Sequence, residues 1–172
     1  MNGFILVIPV ILIRYLLLHI FESKSLKRAA FIPKIPGKQR IAYWVYEIST
    51  LLLIFFPCFL KVKTESSLFY IGLILYGVGI ILCIWSTSNF AKPMKSGINL
   101  RGLYKYSRNP MYIAYFIYFL GCVLLTYSLS LLLILITFQV ATHWIIIAEE
   151  KWCQDRFGNE YIEYMKKVRR YL

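Results

Sequence analysis

The sequence predicts an all-α integral membrane protein of about five transmembrane helices, closing in a C-terminal helical hairpin and an amphipathic cytoplasmic tail helix. Three observations predict it. Hydrophobic residues make up 59% of the 172, and the mean hydropathy of +0.62 lies above what a soluble domain of this size carries. The apolar residues gather into four runs, at about 4–21, 41–60, 68–90 and 111–148. The last run holds 38 residues, about 57 Å of helix at 1.5 Å per residue and nearly twice the hydrocarbon thickness, so it must fold back.

Taken in order, the first run, about 4–21, follows no basic stretch and ends at no small-residue cleavage site, so it reads as a retained helix. The runs at 41–60 and 68–90 are each long enough for one crossing. The fourth divides near Thr126–Ser130 into helices of about 111–126 and 129–148. Five crossings leave one domain, 1–172, with a cytoplasmic tail from 149. They put the loops at 22–40 and 91–110 on the same side as that tail, and those three stretches hold six, five and six of the 20 Lys and Arg residues. The far side keeps only Lys61 and Lys63, and Arg14 lies inside the first run. Positive charge collects on the cytoplasmic side, so the N-terminus is expected outside and the C-terminus in the cytoplasm. The 22–40 connector, with two prolines and Gly37, is expected along the headgroups.

The formal charge of +12 sits beside apolar runs, where lipid headgroups account for it better than nucleic acid does. Cys58, Cys83, Cys122 and Cys153 are single and far apart, which suits neither a disulfide framework nor a zinc site.

Several polar groups lie where lipid should be. Arg14 and Glu47 both fall about 10 Å deep, from helix rise, and could pair between the first two helices. Gln139, His143, Ile146 and Glu150 recur at i, i+4, i+7 and i+11, one stripe descending toward the cytoplasm. Glu149 and Glu150 end the hairpin, where the helix dipole disfavours carboxylates unless cations meet them, from the basic tail or from a ligand. Gly77 and Gly79 allow another backbone or a flat ligand to come close, and helix packing is the commoner reason for such a pair. The stretch GLYKYSRNPMY, Gly102 to Tyr112, sets an Arg-Asn-Pro corner at the mouth of the hairpin. Pro110 keeps Asn109 out of helical geometry, and the first helical turn offers unpaired backbone N–H groups. Beyond Phe157 and Gly158, Tyr161, Tyr164, Met165 and Val168 share a helical stripe, an amphipathic helix placed to lie on the cytoplasmic mouth as a lid.

The order Gly-x-Tyr-x-x-x-Arg-Asn-Pro-x-Tyr, a helical hairpin, then Glu-Glu with Phe-Gly-x-x-Tyr-x-x-Tyr after six residues resembles the isoprenylcysteine carboxyl methyltransferase and phospholipid methyltransferase superfamily over about residues 70–172. The resemblance implies S-adenosylmethionine bound under the C-terminal segment at the cytoplasmic face, with a lipid or lipophilic acceptor entering from the bilayer. It implies cofactor contacts from Tyr104, Asn109, Pro110, Met111, Tyr112 and Glu149, with Ile98, Asn99, Gly77 and Gly79 beside them and Arg108 or Arg170 near the cofactor's carboxylate. His143 or Glu150 is then expected at the substrate end, and no metal is needed. Asn109 stands where many relatives have His, and Ile145 where the prenylcysteine enzymes carry an Arg. The Val168-Arg169-Arg170 tail lacks the family's usual Pro. Two other classes fit parts of the pattern: an NADPH-dependent membrane sterol or steroid reductase, and a non-catalytic membrane protein on the same scaffold.

Overall fold

Tyr127 takes a left-handed backbone, φ 49°, and Ser128 accepts a hydrogen bond from the Leu131 N–H, so two residues turn the chain between two long apolar helices. This is the expected hairpin turn. The computed structural model describes residues 1–17, 37, 39–92 and 97–171. Among these, helices and turns account for the architecture, with no strand. The first apolar run passes through a 3-10 turn (Gly3–Leu6), α1 (Ile8–Leu12) and a π-helical turn (Ile13–Leu17). Then come α2 (Gln39–Phe55), extended by a 3-10 turn over Phe56–Phe59, and α3 (Phe69–Ala91). A 3-10 turn (Gly102–Lys105) leads into α4 (Pro110–Thr126), α5 (Leu129–Phe157) and α6 (Asn159–Lys167).

Two expectations change. The first run is not one regular helix through its described part, because Pro9 in its first α-turn has no N–H to give the ladder. At this switch of helix type the Leu6 carbonyl takes the hydroxyls of Tyr76 and Tyr118. The hairpin's second helix does not end at 148 but runs to Phe157, because no breaker intervenes before Gly158, whose φ of 55° starts a new direction. The 22–40 connector lies almost wholly outside the described residues.

The closest packing joins α3 to α4, and α2 packs along α5 through the stacked rings of Tyr46 and Phe138. Gly79 makes the first contact possible: a Cβ there would stand 2.5 Å from Tyr118 Cα, and one on Gly121 would stand 2.5 Å from the Tyr76 backbone nitrogen. With no side chain between them, the two backbones can touch. At one end the N-terminus, the 60–63 segment and the hairpin meet through Gly3 N–H to Leu60, Val62 N–H to Met1 and Lys63 N–H to Leu125 carbonyls. The other end gathers the 102–109 segment, the end of α5, α6 and the tail.

Arg40–Phe59, Phe69–Ala91 and Leu129–Phe157 are long and apolar enough to cross a membrane, and Gly3–Leu16 and Pro110–Thr126 are shorter apolar helices. Large apolar side chains point outward along them, among them Ile48, Phe55, Ile74, Ile81, Leu133 and Val140. A surface of this kind suits hydrocarbon rather than water, and the chain is a membrane protein.

Candidate functional site

Gly102, φ 58°, opens the corner because nothing larger fits: a Cβ there would lie 1.9 Å from the Asn89 side-chain oxygen. That oxygen accepts the Leu103 N–H at 2.9 Å and ties the segment to the end of α3. The Tyr104 carbonyl takes the Tyr164 hydroxyl at 2.6 Å, which docks α6 beside it. Ser107, buried at 2% exposure, accepts the Asn109 N–H at 3.1 Å and donates to the Arg170 carbonyl at 3.2 Å. The Arg108 N–H bonds the Arg169 carbonyl at 3.0 Å. The chain after α6 therefore returns as an extended strap laid along the corner.

The twin carboxylates face different surroundings, because neighbouring helical positions point about 100° apart, from 3.6 residues per turn. Glu150, 3% exposed, is saturated. Its Oε1 accepts from Arg108 Nε at 2.9 Å and Asn109 Nδ2 at 3.2 Å. Its Oε2 accepts from Arg170 Nε at 3.0 Å and Nη2 at 2.9 Å. The hydrogen bond from Glu150 holds the Arg170 guanidinium above its ordinary pKa. Arg108 also gives Nη1 to the Met165 and Val168 carbonyls, at 3.0 and 2.9 Å. These are groups at the end of α6 with no helical partner, where a cation meets the negative pole of the helix.

Glu149 has one hydrogen bond, from the Tyr112 hydroxyl to Oε1 at 3.0 Å, and its second oxygen receives none among the described residues. One helical turn beyond Tyr112, the Tyr115 hydroxyl accepts from Arg14 Nη1 at 3.0 Å. The Arg14 field also reaches Tyr46, Tyr112 and Glu149. On the neighbouring stripe of α5, His143 Nδ1 bonds the Tyr171 hydroxyl at 2.7 Å with the two rings stacked, so the strap covers the line from Glu150 to His143.

The structure gathers Tyr104, Arg108, Asn109, Pro110, Tyr112, His143, Glu149, Glu150 and Arg170 at one end of the helices. Asn99, in the segment before the corner, has a buried side-chain oxygen with no hydrogen-bond partner among the described residues. Ile98, 4% exposed, packs under α6 against Tyr161 and Tyr164, and Met111 lies against the main core. Gly79 is occupied by the α4 backbone, whereas Gly77 has none of the described residues within 4 Å of where a Cβ would stand. Arg14, considered with Glu47 from the sequence, reaches Tyr115. Sequence reasoning passed over Asn89, Ser107, Tyr115 and Tyr171. Ser107 stands inside the quoted stretch, while the others carry no signal until the chain has folded.

Residues 67–160 match the family model described as phospholipid methyltransferase, a stretch that holds the whole corner and both carboxylates. No curated protein matches the chain. No solved structure matches it either.

Proposed function

The chain belongs to the phospholipid methyltransferase family, and from that premise we propose that it transfers a methyl group from S-adenosylmethionine to the headgroup of a lipid at the cytoplasmic membrane face. The observation that carries the reading is the contrast between the two carboxylates. Glu150 is spent on two arginines and an asparagine, whereas Glu149, positioned by Tyr112, keeps an oxygen for a cation that is not part of the chain.

The residues fit this cofactor. The Glu149 carboxylate suits a cationic group, the unpartnered Asn99 oxygen suits a polar donor, and the first turn of α4 behind Pro110 presents backbone N–H groups without helical acceptors. When bound, S-adenosylmethionine supplies a methyl group made electrophilic by its sulfonium charge. The protein's part is to align, neutralise and exclude water. Tyr112 fixes the Glu149 carboxylate so that little reorganisation is left when charge shifts. Arg108, Asn109 and Glu150 position the strap over the site, a role that replaces direct chemistry for Glu150 and Arg108 in this account. Arg170, expected at the cofactor, belongs to the same clamp. In the tautomer that donates from Nδ1 to Tyr171, His143 keeps Nε2 as the base for a proton leaving the acceptor.

Five crossings of one domain, with the N-terminus outside, agree with the charge distribution. They also agree with Trp44 and Trp85, which are exposed near the corner's end of α2 and α3, where interfacial tryptophans gather. The family match favours methyl transfer over reduction by NADPH or a non-catalytic role. Membranes with and without the protein, given isotopically labelled methyl donor, test this. Label in the extracted lipid only when the protein is present supports the reading. No protein-dependent lipid label, or stabilisation of the purified protein by NADPH and not by S-adenosylhomocysteine, would overturn it.

A further inference from the structure

The strap laid along the corner has two faces. Past Val168, φ −123° and ψ 134°, its backbone is extended, and Arg169 pairs with Ser107 in an isolated parallel bridge. Neighbouring side chains on extended backbone point opposite ways. Arg170 turns inward to Glu150, while Arg169 turns outward and is exposed. Two more exposed cations stand beside it, Lys105 from the corner and Lys167 from the end of α6. Those two share an open groove of about 440 Å³ floored by Leu100 and Tyr164, and Glu160 and Glu163 line its other end, toward the start of α6. Glu163 is matched by Lys166 at 2.7 Å. The side chains of Lys105, Lys167 and Arg169, by contrast, make no ion pair or hydrogen bond among the described residues.

The course of the strap says what kind of anion meets them. From the end of α6 it reaches Tyr171, whose hydroxyl meets His143, seven residues and so about 10 Å up α5 from Glu150 at 1.5 Å per residue. It therefore runs from beyond the helix ends into the level of the apolar spans. Arg169 lies on the way, level with the start of α4, where its carbonyl takes the Arg108 N–H. Tyr106, 71% exposed, stands at the same level. A cation turned outward here faces phospholipid headgroups, and anionic ones attract it.

We propose that Lys105, Lys167 and Arg169 dock the anionic headgroup of a bilayer lipid, which holds the strap down and couples closure of the site to the charge of the membrane surface. The assignment rests on the site proposed above and adds a control to it. Without an anion the three like charges repel one another and loosen the strap, and an anion among them turns that repulsion into attraction.

The test places the full-length protein in lipid nanodiscs of phosphatidylcholine alone or of an equimolar mixture with phosphatidylglycerol, and reads hydrogen exchange of the C-terminal peptide beyond Lys167. It needs neither cofactor nor turnover, so its failure and a failed methylation assay are distinguishable. Phosphatidylglycerol is expected to slow exchange of that peptide by about fivefold or more, as the attraction of a basic side chain to an anionic surface does. Raised salt should remove the effect, and inorganic phosphate added to the phosphatidylcholine discs should not reproduce it. The triple variant Lys105→Gln, Lys167→Gln, Arg169→Gln should exchange no faster than the wild type in phosphatidylcholine and lose the response to phosphatidylglycerol. Lys105→Arg, Lys167→Arg, Arg169→Lys together keep the charge and should keep the response. The proposal is overturned if the wild type exchanges equally in the two bilayers, if inorganic phosphate protects as well as the lipid does, or if the Gln variant responds as the wild type does. Faster exchange of the Gln variant in phosphatidylcholine would also overturn it, since the three side chains would then hold the strap without any lipid.

Discussion

Glu149 and Glu150 differ by one helical position and by everything that surrounds them. Glu150 lies with Arg108 in an interior where 3% and 8% of their side chains are exposed. Removing one partner of such a buried pair leaves charge uncompensated and costs on the order of 3–5 kcal/mol. Glu150→Gln should therefore lower the thermal midpoint markedly in detergent and expose the tail after Lys167 to protease. Glu149→Gln, losing one tyrosine hydrogen bond, should unfold close to the wild type. At this scale the sequence displayed the residue types and hid their pairing. The Arg-Asn-Pro corner and the twin carboxylates are local patterns. Which carboxylate is saturated depends on Val168–Tyr171 folding back to place Arg170 on Glu150, and no local periodicity encodes that return.

Among the elements, α3 and α4 depend on two glycines. Gly79→Ala puts a Cβ 2.5 Å from Tyr118 Cα, and backbone cannot step aside as a flexible side chain can. A loss of about 1–3 kcal/mol is expected, the usual range for overpacking. Gly77→Ala meets nothing within 4 Å and should be neutral or gain about 0.5–1 kcal/mol from the stiffer helix. Thermal unfolding of the two variants side by side checks the pair. The sequence could not tell these glycines apart, because they differ only in which way they face. Gly102 is more demanding: its φ of 58° and the Asn89 side chain both stand against any Cβ, so Gly102→Ala should displace the corner and weaken cofactor binding as well as stability. The helices themselves were more legible. The hairpin turn at Tyr127–Ser128 follows from hydrophobic length, and Gly158 marks the end of α5. The broken course of the first run was not foreseen, although Pro9 stood in plain view.

Across the whole molecule, the outward apolar faces and the gathering of the candidate site residues at one end of the helices describe a membrane protein, and the charge asymmetry of the sequence is consistent with the proposed topology. Reporters fused to the two ends check the topology: a C-terminal fusion should be active only in the cytoplasm and an N-terminal one only outside. The family match begins at residue 67, and Arg14, from the first apolar run outside it, reaches Tyr115 on α4. In the proposed function, Glu149 alone of the pair meets the cation of the methyl donor. Titration of S-adenosylhomocysteine into the purified wild type and Glu149→Gln measures it most directly. An affinity loss of about tenfold or more at near-native thermal stability is expected, the size of one lost charged contact. An affinity equal to that of the wild type would contradict it.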